Sequence, residues 1–141
     1  MAKILFDEKL CTGCSACAMA CMDQNDIDVE RVRPYRRIVE LEEQGFSFRS
    51  ESCKHCENPA CAETCPVGSL FYDGTLHLTR CDGETCVGCH SCVKACPYDA
   101  ISILPDGKIG KCDGCAERQM AGLIPACVRV CPTGALHLET E

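Results

Sequence analysis

The sequence predicts an α+β fold in which short strands and short helices close around bound groups rather than around an apolar core. Three observations lead there. Sixteen of the 17 cysteines fall into one spacing pattern, used four times in 141 residues. Short apolar runs beside Asp-Gly pairs alternate with these patterns, so the strands must be brief. The chain also lacks core-filling side chains, with no Trp and only seven Phe and Tyr together. Its apolar fraction of 46% counts all the cysteines. Ordering each residue costs roughly 1–2 kcal/mol of conformational entropy, so something besides side-chain burial must tie this chain together. The length suits one compact domain or two very small ones.

Taken in order, residues 4–6 read as a strand. The first cysteine pattern is Cys11-x2-Cys14-x2-Cys17-x3-Cys21, and a helical stretch is expected over 15–23. Residues 22–52 form the longest segment without cysteine. Within it, 36–42 and 46–49 flank Glu43-Gln44-Gly45 as a hairpin. Arg31, Arg33, Arg36 and Arg37 cluster here on an otherwise acidic chain. A solvated strand face is the first reading, with a docking patch or a screen for nearby negative charge as alternatives. The second pattern is Cys53-x2-Cys56-x4-Cys61-x3-Cys65-Pro66. Strands at 70–72 and 76–78 flank Asp73-Gly74, a hairpin signal. The third is Cys86-x2-Cys89-x2-Cys92-x3-Cys96-Pro97, with a helix over 91–95. Strands at 101–104 and 108–110 flank Asp106-Gly107. The fourth, Cys112-x2-Cys115-x11-Cys127-x3-Cys131-Pro132, carries an insert over 116–122 that reads as helix, ending at Gly122 with Pro125 beyond. Residues 136–138 read as a final strand. Pro66-Val-Gly68-Ser-Leu70, Pro97-Tyr-Asp99-Ala-Ile101 and Pro132-Thr-Gly134-Ala-Leu136 repeat as well.

Cysteine this dense means disulfides, zinc or iron–sulfur. The opening Met-Ala-Lys-Ile-Leu-Phe-Asp lacks the apolar core and cleavage site of a secretory signal. Arg36-Arg37 precedes no apolar run that would make it a twin-arginine signal. The apolar stretches near 101–104 and 123–130 fall far below the ~18–20 residues of a membrane span. The expectation is therefore a cytoplasmic protein without a membrane span, where disulfides are rare. Zinc takes two separated Cys-x2-Cys pairs around one ion. Here three cysteines come at steps of three residues, so a loop can present three sulfurs to three corners of a larger object. The fourth, usually before Pro, points away along a helix and in two-cluster ferredoxins ligates the other cluster. Four such patterns predict four 4Fe-4S clusters.

Each oxidised cluster carries about −2 with its thiolates, which takes the formal −7 to about −15. Such a surface repels phosphates and excludes nucleic-acid binding. Gly13, Gly88 and Gly114 sit inside Cys-x2-Cys steps, where a missing Cβ would let amides approach the inorganic sulfides. Cys81, the seventeenth cysteine, matches no ligand position and reads as a spare small residue, with an alternative ligand or redox thiol as the other reading. His55 and His90 lie inside the loops and suit hydrogen bonds to sulfur or backbone rather than iron ligation. His77 and His137 read as solvent-facing strand residues. Neither a catalytic triad nor a nucleotide-binding fingerprint is present.

Cys53-Lys-His-Cys-Glu-Asn-Pro-Ala-Cys61, Cys86-Val-Gly-Cys-His-Ser-Cys92 and Pro125-Ala-Cys-Val-Arg-Val-Cys-Pro-Thr-Gly-Ala135 resemble the four-cluster ferredoxin subunits of molybdenum and tungsten oxidoreductases. Subunits of this type stand beside dimethyl sulfoxide reductase, formate dehydrogenase, nitrate reductase and tungsten aldehyde oxidoreductase. The resemblance implies two ferredoxin-like dicluster halves in a single polyferredoxin unit over 1–141. One half comes from about 1–30 plus 105–141 and the other from about 50–104, with a hairpin insertion over 31–49. It also implies the ligand sets. Cluster one would take Cys11, Cys14, Cys17 and Cys131, and cluster two Cys53, Cys56, Cys61 and Cys96. Cluster three would take Cys86, Cys89, Cys92 and Cys65, and cluster four Cys112, Cys115, Cys127 and Cys21. The sequence stops ten residues after Cys131, without the C-terminal extension or membrane anchor of many relatives.

The function expected is non-catalytic electron transfer inside an oxidoreductase complex. The catalytic partner would carry a tungsten or molybdenum pterin, of aldehyde oxidoreductase or formate dehydrogenase type. A flavin (NAD-linked) subunit or a hydrogenase would be the second partner. The alternatives are a free soluble polyferredoxin, or a connector subunit that is either hydrogenase-linked or filament-forming.

Overall fold

The two ends of the chain meet in one small sheet. The computed structural model describes residues 4–41 and 47–139. In chain order its elements are β1 (Ile4–Phe6), α1 (Ala16–Gln24), β2 (Arg37–Leu41), β3 (Ser47–Glu51), α2 (Ala60–Thr64), β4 (Leu70–Asp73), β5 (Leu78–Cys81), α3 (Ser91–Ala95), β6 (Ser102–Ile103), β7 (Ile109–Gly110), α4 (Ala116–Met120), α5 (Ala126–Val130) and β8 (Leu136–Leu138). Among the described residues the strands form four separate antiparallel pairs, β1–β8, β2–β3, β4–β5 and β6–β7, and no sheet closes. Leu5 stands opposite His137 in the pair that joins the ends.

Short helices follow from the cysteine loops. Three of them start just after a left-handed residue, Ser15 (φ 65°), His90 (φ 62°) or Cys115 (φ 53°), where the loop turns into the helix. The helices α2, α3 and α5 stop at Cys65, Cys96 and Cys131, each in an extended conformation. A following proline disfavours helical geometry in the residue before it, and all three cysteines precede one. Cys21 precedes Met22 instead, and α1 runs on to nine residues.

The helices α1 and α5 pack together beside β8, while α2 and α3 pack together beside β4. The first group buries Cys17, Cys127 and Leu136 against Ile4, Phe6 and Ile38. The second buries Cys61, Leu70, Cys92, Ile101 and Ile109. A third contact sets Leu76 and Leu78 against Ala116 at the start of α4. Only Leu78 is a sizeable aliphatic among the largest fully buried side chains, the others being Thr79, Pro125 and Ser69.

One strand departs from expectation. Residues 76–77 are not strand: β5 starts at Leu78 and pairs Leu78 with Asp73 and Cys81 with Leu70. The side chain of Asp73 accepts from the amides of Thr75 (3.0 Å) and Leu76 (3.2 Å), which widens the turn. Leu76 then buries inward, and His77 turns outward at φ 55°. His77 is thus exposed in a turn, whereas His137 is exposed on β8 as expected.

The arginine-rich segment is not a solvated face. Strands β2 and β3 form its hairpin, and the Glu43-Gln44-Gly45 turn lies outside the described residues. Arg33 pairs with Asp99 at 2.7 Å and donates to the carbonyls of Asp99 and Ile101. Arg37 reaches Glu51, Asp99 and the carbonyl of Tyr98. Arg36 is 4% exposed and donates to the hydroxyls of Ser50 (3.0 Å) and Ser52 (2.7 Å). Ser50 Oγ in turn lies 3.3 Å from Cys17 Sγ. The segment therefore braces the loop after Cys96 and the first cysteine pattern at once. Arg33 makes its contacts at an exposed position, and Arg31, 72% exposed beside Asp28, reaches only that local partner.

Candidate metal centres

The sixteen cysteines of the pattern do not gather within their own repeats. Cys11, Cys14 and Cys17 line a 310 Å³ cavity with Cys131, from the other end of the chain. Cys53, Cys56 and Cys61 line one of 350 Å³ with Cys96. Cys86, Cys89 and Cys92 line one of 290 Å³ with Cys65. In each, three sulfurs come from a loop and its helix, and the fourth from the C-terminal end of the helix packed against it. Cys112, Cys127 and Cys21 are buried, and Cys115 is half-buried. The thiol charges that act most on Cys21 are those of Cys112, Cys127 and Cys115.

These donor sets fit a cubane cluster. Among the described residues, no three His, Cys, Asp or Glu side chains converge on a point that a single ion could occupy. Four sulfurs instead surround each of three cavities of similar size, as four corners of a bound cube require.

The left-handed turns explain the loop glycines. Gly13 has φ +74°, and a Cβ there would lie 2.7 Å from the ring of Phe48 on β3. At Gly114, with φ +72°, a Cβ would lie 2.6 Å from Leu78. Glycine is thus required by backbone conformation and by close packing on the outside of the loop. The second pattern has His55 at this position, at φ 51° and 3% exposed. Thr79 N–H lies 3.1 Å from its Nδ1, which is also 3.2 Å from the Thr79 carbonyl, and its Nε2 lies 3.6 Å from Cys112 Sγ. His90 uses Nε2 on the carbonyl of Gly107 at 2.6 Å, holding the third loop to the β6–β7 turn. His55 thus bonds sulfur and backbone, and His90 bonds backbone.

The Pro-x-Gly repeats also gain a reason. Burial would raise the Cys65 thiol, but backbone N–H groups of Leu70, Val67 and Ser69 outweigh it and hold the thiol below its ordinary range. Ser69 N–H lies 3.2 Å from the sulfur. Cys131 is held low in the same way, against burial, by amides from Leu136, Thr133 and Ala135 and by the Thr133 hydroxyl. The turns after Pro66 and Pro132 fold back so that their amides face a thiolate, favouring the charged form. This signal was in the sequence, as a repeat whose chemistry only the turn geometry explains. At Cys21, Cys61 and Cys127 burial dominates, pushing Cys21 up to about 12 and Cys61 and Cys127 up to about 11. Those thiols shed protons when a metal takes them as thiolates.

Cys81 ends β5 and packs against the second core, and burial pushes its thiol up to about 11. It behaves as a small apolar residue. Cys81→Ser is expected to leave the iron content unchanged and to alter stability by no more than about 1 kcal/mol. Loss of about four iron atoms per chain on anaerobic analysis would instead make it a ligand.

Two comparisons place these sites in a class. A family described as a 4Fe-4S dicluster domain matches residues 44–141, and a second with the same description matches residues 10–69. The chain belongs to the 4Fe-4S dicluster proteins and carries four 4Fe-4S clusters. More particularly, it is similar to electron-transfer subunits. It is 41% identical over 140 residues to the thiosulfate reductase electron transfer subunit PhsB of Salmonella typhi, covering 94% of this chain and 72% of that one. It is 38% identical over 143 residues to protein NrfC of Escherichia coli (strain K12), covering 94% and 62%. It is 31% identical over 157 residues to the formate dehydrogenase-O iron-sulfur subunit of the same strain, covering 97% and 52%. The chain thus spans between about half and about three quarters of the length of these relatives. It is an iron–sulfur electron-transfer protein related to them. Among the described residues no helix is long and apolar enough to cross a membrane.

Proposed function

We propose that this chain is a non-catalytic relay that passes single electrons between a catalytic subunit and a second redox partner. Each cluster, when bound, takes up and releases an electron. Cys11, Cys14, Cys17 and Cys131 hold one; Cys53, Cys56, Cys61 and Cys96 hold the second; Cys86, Cys89, Cys92 and Cys65 the third; Cys112, Cys115, Cys127 and Cys21 the fourth. The chain then divides into a half from about 1–30 plus 105–141 and a half from about 50–104, with the hairpin of 31–49 between them. The α1–α5 and α2–α3 packing supports that division.

The observation that carries the relay is the distribution of exposure along it. Cys14 and Cys89 are the exposed cysteines, and they belong to different halves. The Cys21, Cys112, Cys115 and Cys127 set is the most deeply buried of the four. An electron can therefore enter near one exposed loop, cross buried sites shielded from water, and leave near the other. The catalytic subunit in this reading carries a molybdenum or tungsten pterin, of formate dehydrogenase or tungsten aldehyde oxidoreductase type. The named formate dehydrogenase relative supports the former. The second partner is a flavin subunit or a hydrogenase, and a reducing, cytoplasmic setting suits sixteen thiolate ligands. Contact between the unlike exposed ends of two copies would be heterologous and could extend into filaments.

Anaerobic purification with native mass measurement tests this. The expected result is a catalytic subunit retained at fixed stoichiometry. A stable monomer with all its iron and no partner would favour a free polyferredoxin. A discrete particle with one copy would end the stacking.

A further inference from the structure

Two cations lie buried between the cysteine sets, Arg36 at 4% and Lys111 at 5% exposure. Neither takes part in an ion pair with a carboxylate among the described residues. Burying an unpaired cation is strongly unfavourable unless another negative charge compensates it. Here that charge belongs to the cysteine sets. Arg36 stands on the side of Cys21 and Cys127, lowering both thiols against burial. Lys111 stands elsewhere, at the junction of the halves. Its Nζ donates to Cys53 Sγ (3.3 Å), to the Thr79 carbonyl (2.5 Å) and to the Cys112 carbonyl (2.6 Å). Three N–H groups thus meet three acceptors, so the ammonium is fixed rather than mobile.

The same junction holds His55. Its backbone N–H points to Cys53 Sγ at 3.4 Å, while its ring reaches Cys112 Sγ at 3.6 Å. Thr79, 1% exposed, locks both residues: its amide donates to His55, its carbonyl accepts from Lys111, and its hydroxyl donates to the Cys56 carbonyl at 2.9 Å. A left-handed backbone at a bulky residue is tolerated where the surrounding structure over-determines it, as it does at His55.

We propose that Lys111 is a positioning residue that raises the reduction potential of the cluster held by Cys53, through a fixed ammonium on that sulfur. The proposal rests on the ligand sets given under Proposed function. Reduction adds one electron, and hence one negative charge, to that cluster, with no bond made or broken. A fixed cation a few ångströms away favours the more negative state, and more so away from bulk water. The backbone amides at Cys65 and Cys131 supply weaker, neutral donors. Among the described residues no other buried lysine exists to do the same for a second set.

The test is an anaerobic potentiometric titration of the holoprotein with a low-potential reductant, read by electron paramagnetic resonance, with iron counted in every sample. In Lys111→Met, iron should stay near the ~16 per chain of the parent. One cluster should become at least tenfold harder to reduce, about 59 mV for one electron, while the others move less. The signal that moves should be the one lost in Cys53→Ser. Lys111→Arg should recover most of the shift. Unchanged midpoints in fully loaded Lys111→Met would overturn the proposal. If Lys111→Met loads poorly, Lys111→Gln and Lys111→Arg decide instead, and equal midpoints in those two would overturn it. A parent protein with about eight irons would sink the four-cluster reading first, before any midpoint is compared.

Discussion

Cys21→Ser is expected to damage the site built by Cys112, Cys115 and Cys127, and to spare the site of its own repeat. Cys21 lies on α1, 6% exposed, and its strongest neighbouring thiol charges are Cys112, Cys127 and Cys115. The helix α1 packs on α5, which carries Cys127 and leads to Cys131. On the proposed ligand sets, these two packed helices trade their last cysteines. The variant should hold about twelve iron atoms against about sixteen in the parent, or retain a three-iron remnant at the damaged site. Cys11→Ser is the matched control, since it should injure the other site of the same half. Anaerobic iron analysis with electron paramagnetic resonance distinguishes them. If Cys21→Ser and Cys11→Ser lose the same signal, the crossed ligation is wrong.

Removing all iron is expected to have a larger effect still, the loss of the tertiary structure. The described residues contain three small apolar clusters, and cysteines make up much of the larger two. A buried aliphatic side chain contributes roughly 1.5–3 kcal/mol, and among the described residues only Leu70, Leu76, Leu78, Ile101, Ile109, Leu136 and Val32 of the Leu, Ile and Val side chains are buried. That cannot offset the ordering cost of a chain of this length. Loss of metal also leaves Cys21, Cys61 and Cys127 as protonated thiols, each pushed up by burial. Chelation under anaerobic conditions, followed by circular dichroism and amide exchange, measures the effect. Protection of most amides in the iron-free chain would show that packing alone suffices, contrary to the expectation.

Much of this was legible in the residues. Cysteine steps of three followed by Pro identified both the bound group and the ends of α2, α3 and α5, because a proline acts on its neighbour locally. The helix over 91–95 was readable for the same reason. The turn near Asp73 was misread because the choice depended on Leu76 finding Leu78 and Ala116, a contact between distant segments. The arginine cluster was misread likewise. Arg33 meets Asp99, 66 residues away, and Arg36 meets Ser50 on β3 and Ser52 just beyond it.

By itself, then, the sequence determined the number and kind of clusters and the short α+β elements, since ligand spacing and proline geometry are properties of adjacent residues. The resemblance implied which sulfurs belong together, but only the tertiary structure brought Cys131, Cys96 and Cys65 into pockets with the other repeats' sulfurs, explained why His55 replaces a loop glycine, and showed that Lys111 joins the Cys53 and Cys112 sets. Those facts are distances between segments up to 120 residues apart, such as Cys11 and Cys131. No local pattern encodes such a distance; it follows from how helices and hairpins pack around the metal.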